Sequence, residues 1–579
     1  MVEALLLVDG LMFGTRRTQP RGVCPFTTTT FVSNSLDIWV TLGPAFVSPV
    51  ASLGLSRVYL LPIRLPLLPF PPAEMHRFKM EVLTAVAAWA ITSACLNVPV
   101  ARQLLGGICA RDTAELGDRL SATAKIYQPG TAEFTNASIR WSNLDAPKPN
   151  LVVIPGTEND VVETVKFANE KSMPFLAYNG VHGAITTLGK MDSGIEIYLS
   201  QLSGVEVAAD GKTAKISGGT GSKLVTDTLW KAGKQTVTGT CECVSTLGPA
   251  LGGGHGWLQG HHGLVADQFV SMNIVLADGT LQTINETSDL WWAVKGAGHN
   301  FGIVTSLNVK VYDIEHSDWA VETFIFSGEK VEEVYQAANE HLLKNGTQAA
   351  EVINWSYWLR NPDADPENPI ILFWVIQEGV TTVESIYTQP FRDIGPISAT
   401  PDSGTYLDLA TWTGIALDSI PCQKAGLNNP RFPIYVESYN IEAQRKAYDL
   451  FASSISGNSP FNNSLFMFEG YSNEGVKVIA SDSTAFAYRS DNLLFAPLIT
   501  YSPNGTELDQ KAATLGNQLR DIIHEGSGRT EQHVYLNYAF GDEGPKEWYG
   551  SEQWRQDRLK SLKTKYDPNG KFSFYGPIA

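Results

Sequence analysis

The strongest constraint on this chain is a cluster of glycines: five of the nine residues from Gly248 to Gly256 are glycine. Two looser clusters flank it, Gly180 with Gly183 upstream and Gly296, Gly298 and Gly302 downstream. Glycine admits positive φ and lets a backbone approach a ligand closely. Successive backbone N–H groups in such turns form nests for phosphate oxygens. A single loop of this kind is read equally well as a tight turn. The Walker pattern is absent, and Gly296-Ala297-Gly298-His299-Asn300-Phe301-Gly302 has the wrong spacing for a Rossmann fingerprint. A P-loop ATPase and a Rossmann enzyme are therefore disfavoured. Three glycine loops in one region point to a long ligand with a pyrophosphate in its middle.

The pattern around these loops is α+β. Leu151 to Ile154 is a short apolar strand, and Val161, Val162, Val165 and Ala168 mark one helix face. Strands are expected at Phe175 to Tyr178, Ile195 to Leu199 and Ala214 to Ser217. Val270 to Leu276 alternates and runs into Ala277-Asp278-Gly279, a hairpin signal. Residues 315–530 mix helices with aromatic-rich strands such as Ile370 to Gln377 and carry no chemical motif, which suits a separate substrate-covering layer. The tail is expected to form a strand over Tyr535 to Tyr538 and a helix through Arg558, Leu559, Leu562 and Tyr566, stopped at Asp567-Pro568-Asn569-Gly570.

The first 94 residues read differently. Met75, His76, Arg77 and Lys79 precede an apolar run from Val82 to Ile91 and then Thr92-Ser93-Ala94, the layout of a secretory signal peptide. Translation is expected to start at Met75 or Met80, leaving 1–74 as a gene-model artefact or an unstructured extension. The competing reading is a membrane anchor from Ile38 to Ser56, interrupted by Pro44 and Pro49. Six sequons, at Asn136, Asn285, Asn345, Asn354, Asn462 and Asn504, agree with the secretory route, either export or vacuolar retention. Few cysteines follow the signal segment, so a packed core and not a disulfide framework must hold the fold. The net charge of −17 disfavours nucleic-acid binding. His261 and His262 are adjacent and lack the partners of a zinc site, and no metal is expected.

Several segments, in order, resemble the FAD-binding domain of vanillyl-alcohol-oxidase-type flavoproteins, in particular the berberine-bridge-enzyme-like oxidases and their fungal members. These are Pro149 to Pro155, Gly180-Val181-His182, Leu251 to Gly256, Val275 to Gly279 and Gly298 to Val304. Tyr535 to Tyr538, Arg558-Leu559, Tyr566-Asp567-Pro568 and Phe572 are similar to that family's closing segment. The resemblance implies an α+β fold with a two-subdomain PCMH-type FAD-binding domain (95–314) and a substrate domain with an antiparallel sheet flanked by helices (315–530). A C-terminal segment (531–579) would return to the FAD domain. It also implies FAD bonded through its 8α-methyl to His182, although Tyr178 and Val181 stand where the family prefers Arg and Gly. The expected FAD contacts are Asn179, Gly180, Val181, His182, Gly183, Gly248, Leu251, Gly252, Gly253, Gly254, Gly256, Gly298, Asn300, Gly302, Ile303, Val304 and Asn537. Cys241 stands where many members place a second link, to flavin C6. The alternative is a single histidyl link, with Cys241 and Cys243 structural or paired elsewhere. A glutamate that some members place ten residues before a His-Arg pair is missing: Tyr488-Arg489 occupies the pair and Val478 the earlier position.

A base is still required, and the resemblance makes Tyr535 the candidate, against a plain core tyrosine. Trp355, Trp358 and Trp374 could stack on a ring substrate. The expected activity is an oxidase that moves hydride from an alcohol, amine or ring carbon of a small natural-product intermediate to FAD, with O2 as acceptor giving H2O2. An extracellular carbohydrate oxidase and a non-catalytic secreted flavoprotein are the alternatives. A small-molecule substrate and O2 are the expected partners, with no stable membrane association.

Overall fold

Runs of alternating apolar and polar residues sort the chain into strands. The computed structural model, which describes residues 35–41, 60–66 and 110–578, groups them into separate sheets. Two units result, Met1–Leu105 and Gly106–Ala579. In the first, Ser35–Thr41 pairs antiparallel with Leu60–Pro66. The stretch 1–74, expected to lack regular structure, thus holds a two-stranded ladder, and the alternation of Leu36, Ile38 and Val40 is its strand signal. The signal-peptide segment 75–94 and residues 42–56 of the alternative anchor lie outside the described residues. No helix among the described residues is long and apolar enough to cross a membrane.

In the second unit, Lys125–Tyr127, Lys148–Ile154, Asp192–Tyr198 and Phe175–Tyr178 form a four-stranded sheet in that order. The first pairing is antiparallel and the other two are parallel. Parallel pairing requires a crossover, and helix Glu158–Glu170 lies between Lys148–Ile154 and Phe175–Tyr178 in sequence. Thr157 and Asp160 form a capping box at its start. Its Val161, Val165 and Ala168 pack against Leu151, Val153, Ile195 and Ile197. The next sheet has five antiparallel strands in the order Leu281–Ile284, Phe269–Val275, Ile303–Lys310, Thr213–Ser217 and Val205–Val207. The Asp278-Gly279 turn closes the expected hairpin, with Gly279 at φ +83°.

The third sheet packs against the five-stranded one. Its seven antiparallel strands run in the order Ser398–Gly404, Trp319–Ser327, Ile370–Glu378, Val352–Leu359, Leu465–Gly470, Leu493–Leu498 and Ile434–Val436. Strand side chains alternate between faces. Phe324, Phe326, Phe373, Phe466 and Phe468 therefore share one face with residues of helices Val331–Ala337, Ile441–Ile455 and Thr506–Ser527. Val321, Trp355, Tyr357, Ile376 and Met467 take the other face and join one core with Leu251, Ile216 and Leu307. Trp355 and Trp358 are three apart and fall on opposite faces, so Trp358 is buried against Tyr448 and Phe466, away from any ligand. Asn354, a sequon residue, is buried in the same strand and donates to Trp374 O. An oligosaccharide has no room there.

The tail folds back. Tyr535 to Tyr538, expected as a strand, is instead a 3-10 turn over Leu536–Tyr538, because its N–H groups bond locally: Tyr538 N donates to Tyr535 O and Ala539 N to Leu536 O. Helix Gln553–Tyr566 follows. Lys563 donates to Asn300 O, Asp567 Oδ2 and Phe572 O, at 2.8–2.9 Å. Asn300 is fully buried; it accepts from Ile578 N and donates to Gly576 O and Tyr549 Oη. These bonds tie the last residues to the turn before Ile303–Lys310.

Asp267, just after the glycine cluster, accepts from Leu264 N and from both terminal nitrogens of Arg489, the latter at 2.8 and 3.0 Å. Both side chains are buried. Removing one partner of a buried pair leaves the other charge uncompensated. Asp267→Ala is expected to lower unfolding stability by about 3–5 kcal/mol, read as a shift of the urea midpoint.

Candidate active site

Strand Phe175–Tyr178 ends in a turn that crosses the face of the next loop. At Gly180 a Cβ would stand 2.8 Å from Ser245 N, so only glycine lets the two loops close. Val181 follows at φ +59°, in the left-handed region that costs a β-branched residue about 1–2 kcal/mol. Its side chain is buried, which holds it there. The turn delivers His182. Its Nδ1 lies 3.0 Å from Gly180 O, and its Nε2 lies 3.2 Å from Pro421 O and 3.4 Å from Cys243 Sγ. Trp141 stacks on the ring. Burial, helped by the charge of Arg431, pushes the imidazole pKa down to about 4, so the ring is neutral and nucleophilic.

The cysteines sort themselves here. Cys243 is bonded to Cys422, 179 residues away, and this link ties the segment carrying Pro421 beside His182. Cys241 is free; its Sγ lies 3.3 Å from Cys243 Sγ, and burial raises its pKa. Cys243 is thus paired elsewhere than with Cys241, which keeps its thiol.

Two cavities meet at His182, Val244, Pro249 and Asn537. The longer, of about 210 Å³, is lined by Asn179, Gly180, Val181, His182, Gly183, Gly248, Leu251, Gly302, Ile303, Val304 and Asn537, all anticipated. Arg140, His299, Lys571, Phe572, Phe574 and Tyr575 are among the residues that complete it. Gly252, Gly253, Gly254, Gly256, Gly298 and Asn300, expected as cofactor contacts, do not line it. A Cβ on Gly252 would strike Asn537 at 2.2 Å, on Gly253 Phe486 at 2.5 Å and on Gly256 Thr238 O at 2.3 Å. On Gly254 it would meet Val265 at 2.8 Å, and on Gly298 Leu251 at 2.6 Å. They are glycines because protein, not ligand, fills the space. Asn300 is committed to the tail.

The larger cavity suits FAD in its unmet polar atoms. His299 Nε2 lies 3.0 Å from Gly248 O, while its Nδ1 is buried without a partner. Asn537 donates to Pro249 O and Tyr535 Oη but leaves Oδ1 buried and unmet. Such orphans cost free energy unless a ligand meets them. Arg140 adds a buried cation, held 3.4 Å from Glu196, whose pKa burial raises to about 7.

The second cavity, of about 110 Å³, lies on the other side of His182 under the seven-stranded sheet. Trp355, Tyr357, Ile415, Leu465, Met467 and Leu498 supply its apolar walls, and Cys241, His255, Arg431, Tyr471, Tyr535 and Tyr538 its polar groups. Trp374 packs edge-on against Tyr357 and is not part of the wall. Tyr535 is present as anticipated; its oxygen accepts from His255 N and Asn537 Nδ2. His255 is bonded at both ring nitrogens, to Gln259 and Tyr435, and burial lowers its pKa to about 4. Tyr471 and Tyr538 donate to the two oxygens of Glu469, at 2.8 and 2.9 Å, and burial raises the carboxyl pKa to about 6.

Glu469, Tyr471, Tyr538 and Arg431 were not singled out in the sequence. The missing signal is strand period: Leu465, Met467 and Glu469 share the cavity-facing side of Leu465–Gly470, so the glutamate stands on the strand itself. Val478, the spacing-based position, is 83% exposed and irrelevant. His261 and His262 lie in helix Gln259–His262, where His261 pairs with Glu378 and His262 stacks on Tyr312.

Comparison with known proteins agrees with this geometry. Residues 149–285 match the FAD binding domain family, and 534–579 match berberine and berberine like. FAD-linked oxidoreductase chyH of Penicillium rubens is 63% identical over 86% of this chain and 100% of its own. FAD-linked oxidoreductase chry5 of Gibberella zeae is 57% identical over the same shares. Among solved structures, Physcomitrella patens BBE-like 1 superposes with a TM-score of 0.67 at 21% identity, covering 81% of this chain and 99% of that one. Glucooligosaccharide oxidase from Acremonium strictum gives 0.69 at 18% identity, covering 81% and 98%.

The strained turn makes a sharp prediction. Val181→Ala loses apolar burial yet keeps a Cβ at positive φ, whereas Val181→Gly loses burial and relieves the strain. The alanine variant is expected to be the less stable by about 1 kcal/mol, the reverse of the usual order, checked by thermal melts of both.

Proposed function

Because this chain belongs to the berberine-bridge-enzyme-like FAD-linked oxidoreductases of the vanillyl-alcohol-oxidase family, we propose that it is a secreted oxidase of a flat, ring-bearing small molecule. We further propose that its FAD is bonded through His182 and that O2 is the electron acceptor. The observation that carries this reading is the junction of the two cavities at His182. Bound FAD supplies a hydride acceptor. The long cavity holds the dinucleotide, with His299, Arg140 and the backbone of 179–183 as its polar contacts. His182, neutral and fixed by flanking carbonyls, is the attachment point. The Acremonium glucooligosaccharide oxidase carries a 6-S-cysteinyl, 8α-N1-histidyl FAD. Here Cys241 is a free thiol and lines the second cavity with His182, which makes it the candidate for a second bond.

The second cavity takes the substrate. Trp355, Tyr357, Met467 and Leu498 bury a ring by area and stacking. Tyr471, Tyr538 and His255 are already engaged with Glu469, Gln259 and Tyr435, which leaves few free partners for a sugar's hydroxyls and favours a natural-product intermediate over a carbohydrate. The substrate's O–H or N–H proton passes to the phenol oxygen of Tyr538 or Tyr471, which hands its own to Glu469. Tyr535, already accepting two hydrogen bonds and lacking a carboxylate beyond it, is the weaker base.

Two measurements test this. After acid precipitation, wild type is expected to keep yellow colour and the mass increment of one FAD. His182→Ala keeps both only if a second bond exists, and pairing it with Cys241→Ser then removes them; a wild type that never binds FAD overturns the reading. With a turned-over substrate, kcat/KM should rise with pH through about 6 as Glu469 loses its proton. Glu469→Gln should lower it by about a hundred- to ten-thousand-fold and abolish that limb.

A further inference from the structure

On the wall of the substrate cavity stands a charged group, Arg431, to which no carboxylate is bonded. Its guanidinium lies 4.7 Å from the ring centroid of Trp141 and 4.4 Å from that of Tyr538, between two aromatic faces. Among the described residues the guanidinium makes no hydrogen bond and no ion pair, and its Nε is buried without a partner. Arg431 is partly buried, and the fully buried arginines do have carboxylates: Arg140 has Glu196 and Arg489 has Asp267. Glu469 is close enough to feel the charge of Arg431, but both its oxygens are taken by phenols. Tyr538 uses its hydroxyl on Glu469 and its ring on Arg431. Cation–π contacts satisfy the faces of the guanidinium and leave its in-plane N–H donors unmet. A guanidinium with free donors in fork geometry on a cavity wall is complementary to a planar two-oxygen anion. The rest of the wall is largely aromatic and aliphatic.

We propose that Arg431 is a specificity-determining residue that binds a carboxylate on the substrate, and that the cavity therefore selects aromatic or similarly flat acids over their neutral counterparts. This deepens the proposed function and rests on its assignment of the second cavity to substrate. The carboxylate would lie in the plane of the guanidinium, with the ring against Trp355 and Tyr357.

The test compares benzoate with benzamide, its neutral isostere, on the FAD-loaded protein, by calorimetry and by perturbation of the flavin absorbance. Wild type is expected to bind benzoate more tightly. Arg431→Gln should weaken benzoate about tenfold or more while changing benzamide little, and Arg431→Lys should retain part of the preference because it keeps charge without the fork. Equal affinities in wild type, binding of neither probe, or a preference that survives in Arg431→Gln would each overturn the proposal. An unchanged preference accompanied by a lowered flavin midpoint potential would assign the charge to the reduced cofactor instead. Arg431-dependent benzoate binding with no change in flavin absorbance would keep the anion site and remove the cavity from the neighbourhood of the flavin, which is the failure of the underlying reading alone.

Discussion

The close approach of the 179–183 turn to the 243–245 segment organises everything around it. It is possible because Gly180 has no Cβ to meet Ser245 N, and it is held because Val181 is buried despite a backbone angle that disfavours it. Strain of this kind persists only where surrounding structure over-determines it. Here the over-determination comes from three sides: the end of strand Phe175–Tyr178, the Cys243–Cys422 link that brings Pro421 O to His182, and Trp141 stacked on the imidazole. Moving any of them would move the point where the two cavities join.

Charge is distributed on the same plan. Buried cations and acids away from the cavities are matched in pairs or networks, as at Asp267–Arg489 and Lys563–Asp567. Three polar atoms of cavity-lining residues have no protein partner: His299 Nδ1, Asn537 Oδ1 and Arg431 Nε are all buried and unbonded. Unmet polar atoms in a protein interior are rare because each one costs stability. Those three are the ones that a polar cofactor and a substrate beside it could meet.

The seven-stranded sheet contributes through its period of two. Its helix-covered face is a phenylalanine-rich core and carries no chemistry. The opposite face places Trp355, Tyr357, Met467 and Glu469 toward His182 at alternate positions on two neighbouring strands. The pinned tail closes the other side, since Asn300 and Lys563 hold the segment that carries Phe572, Phe574 and Tyr575 into the long cavity.

Local patterns in the sequence determined the strands at 148–154, 175–178, 192–198, 213–217 and 269–275, the Asp278-Gly279 hairpin and the helix at 158–170, while the family resemblance gathered His182, Gly248 and Gly302 to Val304, which line one cavity. Each of those elements is encoded within a short window, by periodicity or by what glycine alone permits. Only the tertiary structure decided which glycines line the cavity and which are packed away from it, since Gly248 is part of its wall while Gly252 and Gly298 are not. It also decided that Cys243 pairs with Cys422, that Tyr535 to Tyr538 turns where a strand was expected, and that Glu469, Tyr538 and Arg431 converge. Those residues come from separate strands and loops, and no spacing along the chain records a contact made by folding distant segments together.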